Sequence, residues 1–593
     1  MSFVTSSRLF NKYVLALVLF PIFFLLAFQG FDVTDWGFHF TNQYLLLEYP
    51  LSSIHINPMY ILSDAAGGLW LHLLGMPSVF WGKLGGAILF SFCAFIVASI
   101  LEDYFPQREV FFCVLTCSIF LTAYISQYIN YFTFPALLTL IFFWVFNKLM
   151  SVPGNSRDFA AYAFTLGFLL VPIILSRFTL IVMILFLPLL AFYYWWTGHP
   201  LDNFSRGVRY AAAGVIVSTG LVACIFHRFG ILEVYIDIIR QQILYSATDS
   251  EVYASYTYKH SMPMLFRLYL SEYIRTLIGV FVFIGGIFTI GRLKEKINQH
   301  WITLGLAIAT ISGLIFGLAT HIRGFNFALS YMPRVFIGIV ILFALLFLYH
   351  HERSDKNLAL LLIVSGVVMI INPLGSDSGI LKSIHAFWLA LPLAMLCMYR
   401  LGRQTENKFA QTTSSLIPTI LLLLLIIGIF MQGGNVYRDD PNRLNLTTPF
   451  QNPQLFGTYS TPERVQVTDE LISIIERETE PGDYVLMVNS MSMFYYLTET
   501  RPALGQPWLF LFSEEAIVDL EEERVRTGEI QPKLFIYPKV NTRDRYWPGG
   551  DTPLKETDEA KLDYLKGQYI DTYQYPYLWE NDAFAVYRIP LDE

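Results

Sequence analysis

The sequence predicts a polytopic α-helical membrane protein, with about 13 transmembrane helices and a C-terminal extracytoplasmic α/β domain. Hydrophobic residues make up 54% of the 593-residue chain and charged residues only 15%, whereas soluble domains carry about 25% charged residues. Long apolar runs recur through the first 431 residues, and the composition then shifts to Pro, Asn, Asp and Gly. We therefore divide the chain into a membrane domain, 1–431, and a C-terminal domain, 432–593.

Thirteen apolar segments of the membrane domain are each compatible with a helix that crosses a bilayer. They lie near residues 13–29, 79–101, 110–126, 132–150, 159–176, 178–196, 210–226, 276–291, 301–320, 334–349, 358–371, 385–399 and 414–431. Because only Ser176-Arg177 interrupts the stretch 159–196, a count of twelve or fourteen also fits the pattern.

Lys and Arg concentrate in every second connection, which indicates that these connections face the cytoplasm. The connection 292–300, for example, contains Arg292, Lys294 and Lys296. An N-terminus in the cytoplasm and an odd number of crossings then predict two large outer loops, at about 30–78 and 227–275, and an outer C-terminal domain. We expect a multi-pass protein of the inner (plasma) membrane whose C-terminal domain is periplasmic or extracellular.

The C-terminal segment has the pattern of a small α/β domain. We predict helices at 462–480 and 558–566 and strands at 484–489, 533–540, 569–575 and 583–589. This order favours a mainly parallel sheet with an antiparallel edge. The segment contains no Gly-rich phosphate loop and no nucleophile elbow, so a supporting or acceptor-recognising role is expected.

The first apolar segment is followed at once by Phe31-Asp32-Val33-Thr34-Asp35-Trp36-Gly37-Phe38-His39. Charge at a membrane surface is costly unless it is solvated or used. If the segment has only a structural role, Asp32 caps a helix and Trp36 is an interfacial anchor. If it forms a functional site, Asp35 and Asp32 are candidate catalytic acids, and Trp36 and His39 are candidate contacts of a sugar or an acceptor. Asp35 and His39 alone make too weak a ligand set for us to predict a metal.

Four basic residues are candidate ligands of a phosphate group: Lys83, Arg177, Arg323 and Arg334. Arginine suits bidentate capture of phosphate oxygens, whereas snorkelling is the plain alternative for Lys83. Arg177 separates two apolar runs on the predicted outer face, where the positive-inside tendency does not explain a cation. The polar turn 372–379 is either a tight loop or a rim that binds sugar hydroxyls. Asp377 in this turn and Lys382 after it are candidate sugar or acceptor contacts.

A carboxylate directly after the first crossing, long first and fourth outer loops and an outer C-terminal domain resemble the GT-C superfamily of membrane glycosyltransferases. The pattern is most similar to the branch of protein O-mannosyltransferases and lipid A aminoarabinose transferases. The resemblance implies that Asp35 acts at the acceptor, with Asp32 as second choice, and that Lys83 and Arg177 bind the phosphate of a polyprenyl-phosphate sugar. Tyr331-Met332-Pro333 is a loose counterpart of a further family element. The second acid that relatives carry at the fourth crossing is absent from 130–135.

The resemblance implies a glycosyltransferase for hexosyl or pentosyl transfer. It would move a sugar from a polyprenyl-phosphate donor to a glycan, lipid or protein acceptor on the outer face of the membrane, without a cofactor. Nucleic acid is not expected as a partner, because no basic footprint is present. Two alternatives stay open: a polysaccharide polymerase or ligase of non-GT-C type that relies on outer arginines, and a non-catalytic scaffold or transporter. Against transport, the sequence shows no internal repeat.

Overall fold

The structure of the protein is a computed structural model that describes most of the chain. The residues outside its description are 1–9, 50–59, 74, 76–77, 198–200, 234, 237–270, 273, 277, 283, 288, 291–296, 321–331, 351–355, 374–378, 407, 489, 510–513, 550–553, 555 and 591–593. The predicted second large loop, 227–275, falls mostly on these residues.

The described part of the first 434 residues forms a helical bundle. Its helices are α1 (Lys12–Ala27), α2 (Asp35–Glu48), α3 (Ile61–His72), α4 (Val79–Leu101), α5 (Gln107–Thr122), α6 (Thr133–Ser151), α7 (Arg157–Ser176), α8 (Phe186–Thr197), α9 (Leu201–Arg228), α10 (Ile274–Ile287), α11 (Gln299–Ala319), α12 (Met332–His350), α13 (Lys356–Ile371), α14 (Phe387–Gln404) and α15 (Lys408–Gly434). Within the described ranges, nine helical segments are long and apolar enough to cross a membrane, and α1, α10 and α13 are shorter apolar helices. The predicted polytopic helical fold is confirmed.

Small residues allow neighbouring helices to approach closely. A Cβ added at Gly167 of α7 would lie 1.8 Å from the backbone oxygen of Ala211 in α9, and one at Gly214 would lie 2.1 Å from that of Phe164. Such contacts are the usual means by which helices associate where no water drives them together. The membrane helices are therefore packed against each other backbone to backbone at these points.

Two helices, α2 and α3, fill the described part of the predicted first outer loop. They lie at the end of the bundle where α1 ends and α4 begins, and every residue of α2 from Trp36 to Gln43 is buried. Short 3-10 helices, Phe178–Leu185 and Gly379–Ala386, enter the same end between α7 and α8 and ahead of α14. The described polar segments that carry Asp32, Asp35, Arg177 and Lys382 therefore meet at one end of the bundle.

The C-terminal region contains a five-stranded mixed sheet. Its elements are β1 (Thr448–Pro449), β2 (Tyr459–Ser460), α16 (Pro462–Glu478), β3 (Tyr484–Met487), α17 (Met493–Leu497), β4 (Arg501–Pro502), α18 (Glu514–Glu521), β5 (Leu534–Pro538), α19 (Glu556–Lys566), β6 (Tyr577–Glu580) and β7 (Phe584–Arg588). The strand order is β4-β3-β5-β7-β6, in which β3 runs parallel to β4 and β5 and the pairs with β7 are antiparallel.

One predicted strand of this region, 569–575, is wrong. Residues 567–572 continue the helical path of α19, and the strand begins only at Tyr577. The tyrosines of this stretch suggested a strand, but Tyr569 is buried and stacks on Phe535 of β5, with 5.1 Å between ring centroids. The aromatic side chain thus covers the sheet from a helix and does not extend it.

The C-terminal region packs on the end of the bundle that carries α2. Met493 N donates to Val33 O at 3.0 Å, and Thr41 Oγ1 donates to Ser492 O at 2.6 Å. A Cβ on Gly37 would lie 2.2 Å from the backbone nitrogen of Met493, so only glycine permits this approach. The start of α2 is therefore enclosed between the bundle and the sheet domain.

Candidate active site

Asp32 holds the turn that starts α2. Its side chain is fully buried and accepts hydrogen bonds from Thr34 N at 2.9 Å, Thr34 Oγ1 at 2.7 Å and Trp36 N at 3.0 Å. Burial raises the pKa of the Asp32 carboxyl, and the nearby Arg438 guanidinium opposes this shift. These contacts agree with the plain interpretation of Asp32 as a capping residue.

Asp35, the first residue of α2, is the more accessible of the two acids. Its side chain is 24% exposed, and Arg438 Nη2 lies 3.0 Å from Oδ2. The hydroxyl of Tyr437 donates to the same carboxylate, and the Tyr437 ring stacks parallel to Trp36 with 6.4 Å between centroids. Sequence spacing could not identify Tyr437 and Arg438 as partners of Asp35, because they follow α15 at the far end of the membrane domain.

Lys83 is buried and directed at the backbone. Its Nζ donates to Gln29 O at 2.9 Å and Gly30 O at 3.1 Å, and it lies 5.1 Å from the ring centroid of Trp36. These bonds satisfy two carbonyls of the chain just after α1 ends. In the described structure Lys83 therefore fixes the chain that leads into Asp32.

A second cluster surrounds the ring of Phe132, which precedes α6. The Arg177 guanidinium lies 4.7 Å from the ring centroid and Lys382 Nζ lies 4.4 Å from it. Arg177 is buried, and its Nη1 and Nη2 donate to the side-chain and main-chain oxygens of Asn372 at 3.1 and 2.9 Å. Two predicted basic residues are thus brought together at one aromatic ring, which we call the cation cluster (Arg177, Lys382 and Phe132).

A small cleft with a cavity volume of about 20 Å³ lies beside the cation cluster, between α6, α13 and α14. Its walls are mostly apolar and include Leu140, Phe143 and Trp388, with Asn372 and His385 as polar members. The His385 ring stacks on Phe132 at 3.9 Å, and its buried Nδ1 makes no hydrogen bond to the described residues. A polar atom enclosed without a partner is unusual in folded proteins.

Arg334, another predicted basic residue, does not join this cluster. Its Nε lies 2.5 Å from the Glu272 carboxylate, so the structure gives it an ion pair at the start of α12. Arg323 and Asp377 lie outside the described residues.

An aromatic row connects the two parts of the site. We use this name for Trp36, Tyr128, His39, Tyr131 and Phe132. Successive ring centroids along it are 5.8, 5.7, 5.0 and 4.0 Å apart. Asp35 with Arg438 lies at one end of the row and the cation cluster at the other, and Trp36 Nε1 is buried without a hydrogen-bond partner in the described part of the chain. The row thus connects an acid at one end with cations at the other through a series of aromatic rings.

An acid that the sequence analysis missed lies beside the row. Asp64 of α3 is fully buried, and its Oδ1 lies 3.3 Å from His39 Nδ1. Its only sequence signal was a lone carboxylate in an otherwise apolar stretch. Over the ranges that the structure covers, no three His, Cys, Asp or Glu side chains form a group that could hold a metal ion.

Comparison with known proteins yields structural similarities only. No family model matches the chain, and no curated protein sequence matches it. An oligosaccharyltransferase from Archaeoglobus fulgidus, solved with zinc and sulfate, is similar at a TM-score of 0.46 and 10% identity, over 88% of this chain and 68% of that chain. ArnT from Cupriavidus metallidurans bound to undecaprenyl phosphate is similar at 0.41 and 12%, over 97% of both chains.

A third similar structure is the archaeal oligosaccharyltransferase AglB from Archaeoglobus fulgidus, solved with an inhibitory peptide and a dolichol-phosphate. Its TM-score is 0.44 at 12% identity, over 89% of this chain and 70% of that chain. Identities of 10 to 12% and TM-scores below 0.5 support no statement about what this chain does.

Proposed function

We propose that the protein is a membrane glycosyltransferase of the GT-C type. It transfers a sugar from a polyprenyl-phosphate donor to an acceptor on the outer face of the cytoplasmic membrane. The observation that carries this proposal is the placement of Arg177 and Lys382 at one ring, beside mostly apolar side chains of the membrane helices. A donor with a phosphate head and a hydrocarbon tail binds where cations lie next to an apolar surface.

The cation cluster suits a phosphate that gains charge as it leaves. Arg177 is held in place by two hydrogen bonds to Asn372, so its guanidinium does not reorganise during the reaction. Preorganised cations in a site with little water stabilise a developing anion more strongly than the same charges in bulk water. Arg177 and Lys382 would therefore stabilise the polyprenyl phosphate as its bond to the sugar breaks.

The other end of the aromatic row suits the acceptor. Asp35 is partly exposed and is oriented by Arg438, so its carboxylate can accept a hydrogen bond from an acceptor hydroxyl and orient that hydroxyl. The rings between Asp35 and the cation cluster offer apolar faces on which a sugar can stack. An inverting transfer follows, in which the acceptor oxygen attacks the anomeric carbon from the side opposite the phosphate. Asp32 and Lys83 keep the chain around Asp35 in position.

The test is a titration of the full chain in detergent with undecaprenyl phosphate as the probe. Native mass spectrometry measures the bound fraction. Losing one charged hydrogen bond costs about 1.5 to 3 kcal/mol, so Arg177→Ala should weaken binding by about 10- to 150-fold. Lys382→Ala should also weaken it. The control is Arg403→Ala, because Arg403 is 65% exposed at the opposite end of α14 and should leave the affinity unchanged.

Equal affinity of the wild type and Arg177→Ala would overturn the proposed donor site. Absence of any binding by the wild type would favour a scaffold. A polymerase or ligase that relies on arginines alone would keep its turnover in Asp35→Asn, whereas the proposed enzyme would lose most of it.

A further inference from the structure

The buried carboxylate of Asp64 has a contact pattern that packing alone does not explain. Its Oδ1 faces His39 Nδ1 at 3.3 Å, while Oδ2 is enclosed and makes no hydrogen bond to the described residues. Leaving a buried polar atom unpaired is destabilising, and more so when the group is charged. Burial raises the pKa of the Asp64 carboxyl, and the contact with His39 acts in the opposite direction.

His39 lies in the middle of the aromatic row. Its ring centroid is 5.0 Å from that of Tyr131, 5.7 Å from that of Tyr128 and 5.8 Å from that of Tyr60. Since Nδ1 faces Asp64, Nε2 is at the opposite side of the ring, and it makes no hydrogen bond to a described residue. A histidine whose Nδ1 is held by a carboxylate presents Nε2 as a proton acceptor.

Two partners share one oxygen of Asp35. Arg438 and the Tyr437 hydroxyl both contact its Oδ2. These contacts engage the lone pairs of Oδ2, so Oδ1 is the oxygen available to accept a hydrogen bond from the acceptor hydroxyl and orient it. His39, farther along the row, is a second group with a nitrogen that can accept a proton.

We infer that His39 accepts the proton of the acceptor hydroxyl and that Asp64 is the residue that positions His39. This inference rests on the proposed function and assigns a base to it. The hydroxyl proton moves to His39 Nε2 as the acceptor oxygen bonds to the anomeric carbon. The bond from that carbon to the phosphate oxygen breaks, and its electron pair leaves on the phosphate towards Arg177. Asp64 stabilises the resulting imidazolium through Nδ1–H.

The pair can be tested without knowing the sugar. Diethylpyrocarbonate modifies neutral imidazole, so the labelling rate of His39, measured by peptide mass spectrometry against pH, reports the protonation of its ring. The titratable groups around the ring are Asp64, Tyr60, Tyr128 and Tyr131. Removing one nearby opposite charge shifts a pKa by about one unit or more, so Asp64→Asn should lower the midpoint by that amount.

The matched control is Glu48→Gln, which neutralises an exposed carboxylate at the other end of α2 and should leave the midpoint of His39 in place. An unlabelled His39 in the wild type, or an unchanged midpoint in Asp64→Asn, would overturn the inference.

A second measurement separates this inference from the proposed function. His39→Gln and Asp64→Asn should bind undecaprenyl phosphate like the wild type, while sugar transfer from undecaprenyl-phosphate hexoses and pentoses should fall by about 10²- to 10⁴-fold in His39→Gln. Loss of donor binding in both variants would indicate a purely structural pair. Failure of the wild type to bind the lipid would instead contradict the proposed function and leave the labelling result as it stands.

Discussion

A buried ion pair holds the segment that brings Tyr437 and Arg438 to Asp35. Arg464 Nη1 lies 2.7 Å from Asp439 Oδ1, and the two side chains are 1% and 0% exposed. Arg464 Nη2 also donates to the main-chain oxygens of Arg545 and Trp547, each at 2.8 Å. Because Asp439 directly follows Arg438, the pair sets the position of the contact at Asp35.

Replacing Arg464 with Leu should destabilise the C-terminal domain strongly. The change leaves Asp439 buried without its counter-charge, and breaking one partner of a buried ion pair costs about 3 to 5 kcal/mol. In a domain of this size about 1 kcal/mol lowers the melting temperature by about 2 to 4 °C, which gives a decrease of about 6 to 20 °C. The segment that carries Arg438 should also exchange its amide hydrogens faster.

Thermal unfolding of the full chain in detergent, followed by tryptophan fluorescence, and hydrogen exchange of peptides covering 435–441 measure both effects. Arg477→Leu is the control, because Arg477 lies on the same helix, is 59% exposed and forms only a surface pair with Glu478. An exposed pair contributes about 0 to 1 kcal/mol. A melting temperature of Arg464→Leu within 2 °C of that of Arg477→Leu, or an unchanged amide exchange rate at 435–441, would contradict this prediction.

Three further changes test other parts of the account. Gly37→Ala should push α2 away from α17 and make the junction exchange faster, whereas Gly433→Ala, in open space, should have no effect on it. Lys83→Met leaves the buried Gly30 carbonyl without its donor and removes the shorter of two hydrogen bonds to Gln29 O; at about 1 to 3 kcal/mol for the unpaired carbonyl, the change should lower the melting temperature measured by fluorescence. Phe132→Leu removes a ring contact of about 0.5 to 2 kcal/mol and should weaken undecaprenyl phosphate binding less than Arg177→Ala does, in the same titration.

The membrane helices were predictable because each is marked by its own apolar run, a local signal that needs no knowledge of contacts. The positions of Arg177 and Asp35 were also marked locally, because Arg177 is a charge between two apolar segments and Asp35 follows the first one. The partners of these residues were not predictable, because Arg438 and Asn372 reach them only through the folding of distant segments. Sequence spacing gives no information about such contacts.

Asp64 and the helical stretch 567–572 show two other limits. Asp64 meets His39 across a connection between α2 and α3, so no helical or strand period links them. The tyrosines after α19 suggest a strand because aromatic residues favour strands. In the structure Tyr569 instead covers the apolar face of the sheet from a helix, by stacking on Phe535. In both cases tertiary packing decides the outcome.

The central claim is that the cation cluster binds the phosphate of a sugar-carrying lipid that the enzyme consumes. It is tested most directly by incubating the purified protein with a lipid extract of bacterial inner membranes and following each undecaprenyl-phosphate sugar by mass spectrometry. The wild type and Arg403→Ala should consume one such species and release undecaprenyl phosphate, and Arg177→Ala should not. Consumption of no species by the wild type, or equal consumption by Arg177→Ala, would contradict the account.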